Sequence, residues 1–183
     1  MATDEPYTRD EILKAFERQQ HDSVAFWNAF DTGTFFRPLG SSWSPADNVR
    51  HLIKSTRPVV RALAMPPILL RLLFGTPRRP SVRYDELRTR YLNALADGGQ
   101  AGSYAPTPRA HTGPAQWRDA IMRDFADVNR DLRTAIARWD DRALDRVQLQ
   151  HPFAGKFTLR EMLFFTLYHQ RHHIGVVERR RNQ

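Results

Sequence analysis

From Trp117 to Trp139 the large apolar residues return at steps of four, four, three, four, four and three: Trp117, Ile121, Phe125, Val128, Leu132, Ile136 and Trp139. An α-helix, with about 3.6 residues per turn, brings such positions onto one face. A helix with one long apolar stripe must be covered by other elements. The stretch therefore predicts a core-facing helix near 114–139, with Pro114 at its first position and Trp117, Phe125, Leu132 and Trp139 buried.

Three more helices announce themselves by their starts. Thr8 and Glu11 have the spacing of a reciprocal capping box, with Tyr7 and Ile12 as its apolar staple. They open a helix near 8–31 that buries Leu13, Phe16, Val24, Trp27 and Phe30, and Thr32-Gly33-Thr34 ends it. His21 beside Asp22 reads as a surface residue. Ser44, Pro45 and Asp47 open a helix near 44–64, with Val49, Leu52, Ile53, Thr56, Val60 and Leu63 on one side. His51 lies about 150° from the centre of that stripe, and Pro58 is expected to bend the helix. Thr158 and Glu161 form another capping box, flanked by Phe157 and Met162, and open a helix near 158–179.

Between the second and third long helices, residues 65–113 are punctuated by proline and glycine. They read as an excursion over one end of the bundle. A short helix near 82–96 carries Tyr84, Leu87, Tyr91 and Leu95, with Gly98 just past its end. His111 reads as a loop residue. Residues 140–155 form a connection with a short extended piece at 146–150 and a turn at His151-Pro152-Phe153-Ala154-Gly155. No strong strand pattern and no internal repeat is present. The expected fold is all-α: a single domain over 1–183, a four-helix bundle with one long crossover.

The last helix carries the most chemistry. Leu159, Met162, Thr166, His169, His173 and Val176 share one face. His169 and His173 stand one turn apart and can converge on one metal ion, or they can be two core histidines satisfied by hydrogen bonds. His172 lies about 100° from His173 and is expected outside the ligand set. The chain has no cysteine, so a metal would rest on His, Asp, Glu or water. Absence of cysteine also fits a reducing compartment, and cytoplasmic location is the expectation. The polar start MATDEPYTRDE does not resemble a signal peptide. The longest apolar run, 66–74, is short and broken by Arg71, so no membrane span is expected. The net charge of +8 is spread over scattered arginines apart from Arg179, Arg180 and Arg181, and nucleic acid is not the expected partner.

WSPADNVRHL at 43–52, HPFAGKFTLREMLFF at 151–165 and YHQRHH at 168–173 occur in an order that resembles the DinB/YfiT-like superfamily over most of the chain. The resemblance implies an up-down-down-up four-helix bundle. It also implies a divalent metal, zinc, nickel or iron, on three histidines, which here would be His51, His169 and His173. His51 enters that set by resemblance alone. Related sequences often carry Gln three residues after the last ligand, where this chain has Val176, which puts substrate and metal preference in doubt. The implied function is a metal-dependent enzyme acting on a small molecule, a low-molecular-weight-thiol S-transferase or a hydrolase. The alternative is a non-catalytic, stress-linked module that binds a metal or small ligand. A homodimer is the implied assembly. No general base stands out, since Asp47 and Glu161 read as helix caps.

Overall fold

Each long helix begins where the chain offers a cap. In the computed structural model, which describes residues 5–107 and 114–181, α1 (Arg9–Asn28) opens on Thr8 and Glu11 with both capping-box bonds formed. The short α2 (Thr32–Phe36) opens on Asp31, whose carboxylate accepts from Thr34 N. α3 (Pro45–Leu63) opens on Ser44 and Asp47, again with both bonds, and continues through Pro58. α4 (Pro67–Phe74) and α5 (Tyr84–Ala96) follow, then a 3-10 turn at Gly102–Tyr104. α6 (Ala115–Ile136) carries the long apolar stripe, and α7 (Asp141–Arg146) opens on Asp140. The antiparallel hairpin β1 (Gln148–His151) and β2 (Gly155–Thr158) pairs Leu149 with Phe157 and His151 with Gly155. α8 (Leu159–Arg181) closes the chain. Its capping box is complete: Glu161 N donates to Thr158 Oγ1 at 3.1 Å and Thr158 N to Glu161 Oε2 at 3.0 Å.

The chain is mostly helical, with one two-stranded sheet among the described residues. α3 packs on α6, α6 on α1, α1 on α8 and α8 on α3, and α5 adds a further layer on α8. Phe125, Leu132 and Ile136 of α6 are buried between these partners, and Trp139 is buried just past the helix end. Among the described residues, no helix is long and apolar enough to cross a membrane. His111 lies outside the described residues.

Four expectations change. Trp117 is 47% exposed. Residues 114–117 are exposed throughout, so this turn of α6 projects beyond the layer its partners supply. Pro114 is the N-cap of α6 rather than its first residue. The first helix stops at Asn28, because Asp31 caps a new helix instead of ending the old one. The connection before α8 holds a helix and a true hairpin. Its strands are four residues each, too short to establish an alternating pattern, and Gly155 at φ +84° supplies the left-handed residue of the turn. α4 also went unforeseen. Its apolar residues run continuously apart from Arg71, so no helical stripe marks it in sequence; Leu70 is buried while Ile68, Leu69, Leu72 and Leu73 are exposed.

Truncation of Phe125 to Ala is expected to destabilise the protein by about 3–5 kcal/mol, as for a large aromatic lost from a packed core. Trp117→Ala should stay within about 0.5 kcal/mol of wild type. Urea denaturation of the two variants checks both, and equal losses would contradict the described packing.

Candidate metal centre

Two helices deliver one cluster of three imidazoles. The Ser44 cap fixes the start of α3, and His51 follows two turns later. The Thr158 cap fixes α8, which then places His169 and His173 on successive turns. His51 Nε2 lies 3.0 Å from His169 Nε2, and His173 Nε2 lies 3.1 Å from it. These ligand atoms all fall within 4.8 Å of one another, and the three rings are buried. Three corners of a tetrahedron around an ion at 2.0–2.1 Å would be separated by about 3.3 Å. The group could therefore hold a metal ion.

The apolar stripe of α3 does not predict the inward position of His51, because α3 is covered on more than one side. It packs against α6, and also against α8 and the 102–104 turn. On that second side Asn48 and His51 are buried polar residues.

The outer nitrogens decide what the inner ones can do. His51 Nδ1 lies 2.9 Å from the carbonyl oxygen of Tyr104, which only accepts, so Nδ1 carries the proton. His173 Nδ1 lies 2.7 Å from Asn48 Oδ1. The amide of Asn48 is oriented by its Nδ2, which donates to Ser44 O at 2.9 Å, so this Nδ1 also carries the proton. Ser55 Oγ donates to Leu52 O at 3.1 Å and leaves an acceptor 3.5 Å from His169 Nδ1. The arrangement turns three unprotonated Nε2 lone pairs toward one point. Partners of this kind fix the tautomer and orientation of metal-binding imidazoles.

Burial also keeps the rings neutral. Burial pushes the His51 imidazole below its ordinary range, with the Tyr104 carbonyl partly opposing it. His169 falls well below, through burial and then the nearby His173 and His51 rings. His173 does the same through burial and then His51 and His172. Neutral imidazole is the form that ligates.

His172 is half-buried and outside the group, as its place on the helix wheel requires. His21 is exposed beside Asp22, and Asp47 and Glu161 serve as caps. Sequence reasoning missed Asn48, Ser55 and the Tyr104 carbonyl. Asn48 stands one turn before His51, and that spacing was the available signal. The ring of Trp43 stacks on His173, with planes 4° apart and centroids 6.1 Å apart.

A cavity of about 420 Å3 opens onto the same point. Its walls include Tyr91, Phe153, Met162 and Phe165, with His151 and His172 on the border. No Asp, Glu, Lys or Arg lines it among the described residues. Gly99 allows Phe153 to close one wall: a Cβ there would lie 2.6 Å from the ring and 2.7 Å from Ala94 O.

The cavity histidine His151 sets a pH limit on the fold. Burial pushes its pKa from an ordinary 6.5 down to about 4. The unfolded ring therefore takes a proton that the folded ring refuses. Stability is intact above about pH 6.5 and falls as pH drops toward 4. At about 1.4 kcal/mol per pKa unit, His151 alone accounts for roughly 3 kcal/mol across that window, and the three-ring cluster acts in the same direction. The urea midpoint of metal-free protein should fall steadily from pH 6.5 to 4. His151→Asn, which does not titrate there, should show a shallower fall; an unchanged slope would exclude His151 as a source.

No curated protein and no solved structure matches the chain. A family model described as the DinB superfamily matches residues 15–177, from α1 to the end of the histidine-bearing face of α8. Together with the caps, the long helices and the buried histidines at the expected positions, this match identifies the chain as a member of the DinB superfamily.

Proposed function

We propose that His51, His169 and His173 hold one divalent metal ion through their Nε2 atoms, and that the protein is a metal-dependent enzyme acting on a small molecule in the adjoining cavity. The scaffold would be the up-down-down-up four-helix bundle of its family, which the pairwise packing of α1, α3, α6 and α8 supports. The observation that carries the metal assignment is the set of outer hydrogen bonds. Tyr104, Asn48 and Ser55 occupy the Nδ1 atoms and leave three lone pairs facing one another. Three converging acceptors repel unless a cation or shared proton lies between them.

Three neutral nitrogen donors leave coordination positions for water or substrate, the arrangement of a catalytic centre rather than a closed structural one. A bound metal supplies Lewis-acid activation, lowering the pKa of a coordinated thiol or water. The chain does the rest. The Nδ1 partners hold the rings in place, and Trp43 covers His173. Tyr91, Phe153 and Phe165 give the cavity an aromatic wall against which a bound molecule would be partly shielded from water. With no carboxylate on the described cavity wall, proton transfer falls to His172 or to the substrate itself. Transfer to a thiol and thiol-independent hydrolysis both fit these requirements. The nitrogen donor set is compatible with zinc, nickel or iron.

Elemental analysis of untagged protein should find one divalent ion per chain. His173→Ala should abolish stoichiometric binding, while His172→Ala leaves it nearly intact. Asn48→Ala, which removes the partner of His173 Nδ1, should weaken metal affinity about 10- to 100-fold. Undiminished stoichiometric binding by His173→Ala would refute the assignment.

A further inference from the structure

His151 is the buried histidine that the three-ring cluster does not use. It ends β1 and is 3% exposed. Its Nδ1 accepts from the backbone N–H of Ala154 at 3.1 Å and of Phe153 at 3.4 Å. Both are donors, so Nδ1 is unprotonated and the proton of the neutral ring sits on Nε2. No hydrogen bond to Nε2 is formed by any described residue, and the ring borders the cavity. Nε2 is not sealed in the core but open to the cavity, so its N–H is available to an acceptor there. The turn accounts for Nδ1 only, and an asparagine Oδ1 would serve it as well. The Nε2–H group is what histidine adds at this position.

The surroundings define what could accept that hydrogen bond. Phe165 lies against both sites, with ring centroids 4.5 Å from His151 and 4.9 Å from His169. Tyr91 and Phe153 flank His151 at 5.8 Å and 4.7 Å. The chain carries 28 Lys and Arg and 20 Asp and Glu, yet none of these types lines the cavity among the described residues. A charged group placed beside His151 would be desolvated without a protein counter-ion.

We infer that the cavity selects an uncharged, largely aromatic or aliphatic small molecule whose neutral carbonyl-type oxygen accepts a hydrogen bond from His151 Nε2 while its reacting end reaches the three-histidine point. This inference rests on the metal-site reading above. His151 is then a specificity residue, and charged small molecules are poor ligands for this part of the cavity.

The test uses the full chain loaded with Co2+, whose visible spectrum reports ligands entering the metal's coordination sphere. The probes are 4-phenylimidazole and its derivatives carrying an acetyl or a carboxylate group at the meta or para position. At least one acetyl isomer should bind up to about tenfold tighter than the parent, the gain expected from one buried hydrogen bond. The matching carboxylate should gain nothing. His151→Asn keeps an acceptor for the turn and removes the Nε2–H donor, so the acetyl preference should vanish while the melting temperature stays near wild type. His151→Gln loses the turn acceptor but carries an amide N–H at a similar reach. It should melt lower and retain the preference. A preference for carboxylate, no acetyl gain in wild type, or an equal gain in His151→Asn would overturn the inference while the Co2+ spectrum leaves the metal centre standing. Failure of wild-type protein to develop a stoichiometric Co2+ spectrum would overturn both.

Discussion

The start of α8 depends on one buried carboxylate. Glu161 is fully buried and accepts from Thr158 N at 3.0 Å and Val82 N at 2.8 Å. Arg79 pairs with both of its oxygens. A single side chain thus caps the helix, holds the hairpin's last residue and ties down the crossover segment before α5. A buried carboxylate is tolerable because it is paired with a cation and hydrogen-bonded on both oxygens. Everything downstream inherits this anchoring. His169 and His173 lie about three and four turns along a helix whose first turn cannot slide.

The neighbouring Arg160 extends the same logic. It is buried, pairs with Asp145 at 2.7 Å and Asp141 at 3.0 Å, and donates to Tyr7 O. Burial pushes the Asp145 carboxyl up, but the bonds from Arg160 and Ser81 outweigh it and hold the carboxyl below its usual range. α7, the segment before α1 and the start of α8 are thereby joined at one end of the molecule. The imidazole cluster lies further along α8, where the buried polar groups are neutral. Ion pairs tie down one end, whereas the cavity at the other is bordered by the three imidazoles and has no charged side chain among the described residues.

His151 and Phe165 connect these regions. The hairpin that ends at the Thr158 cap also sets His151 into the cavity wall, and the next turns of α8 bring Phe165 and then His169. A turn, a helix start and the histidine pair are thus consecutive along 151–173. The stretch HPFAGKFTLRE at 151–161 is therefore the mechanical mount of the histidine pair.

Local rules in the sequence determined the helix starts at Thr8, Ser44 and Thr158, the buried stripe of α6 from Phe125 onward, and the shared face of His169 and His173. Capping and helical period act within a few residues, so the chain states them directly. Resemblance to a family, rather than amphipathicity, brought in His51. Only the tertiary structure decided that α3 is covered on a second side, that the carbonyl of Tyr104 and the amide of Asn48 set the ring tautomers, and that His151 borders the same chamber. It likewise left Trp117 in solvent, although its spacing matches that of its buried neighbours. These outcomes depend on which surface meets which across separations such as 53 and 125 residues. Periodicity reports that a face is apolar, but how far its covering layer extends is settled by the partners that pack against it.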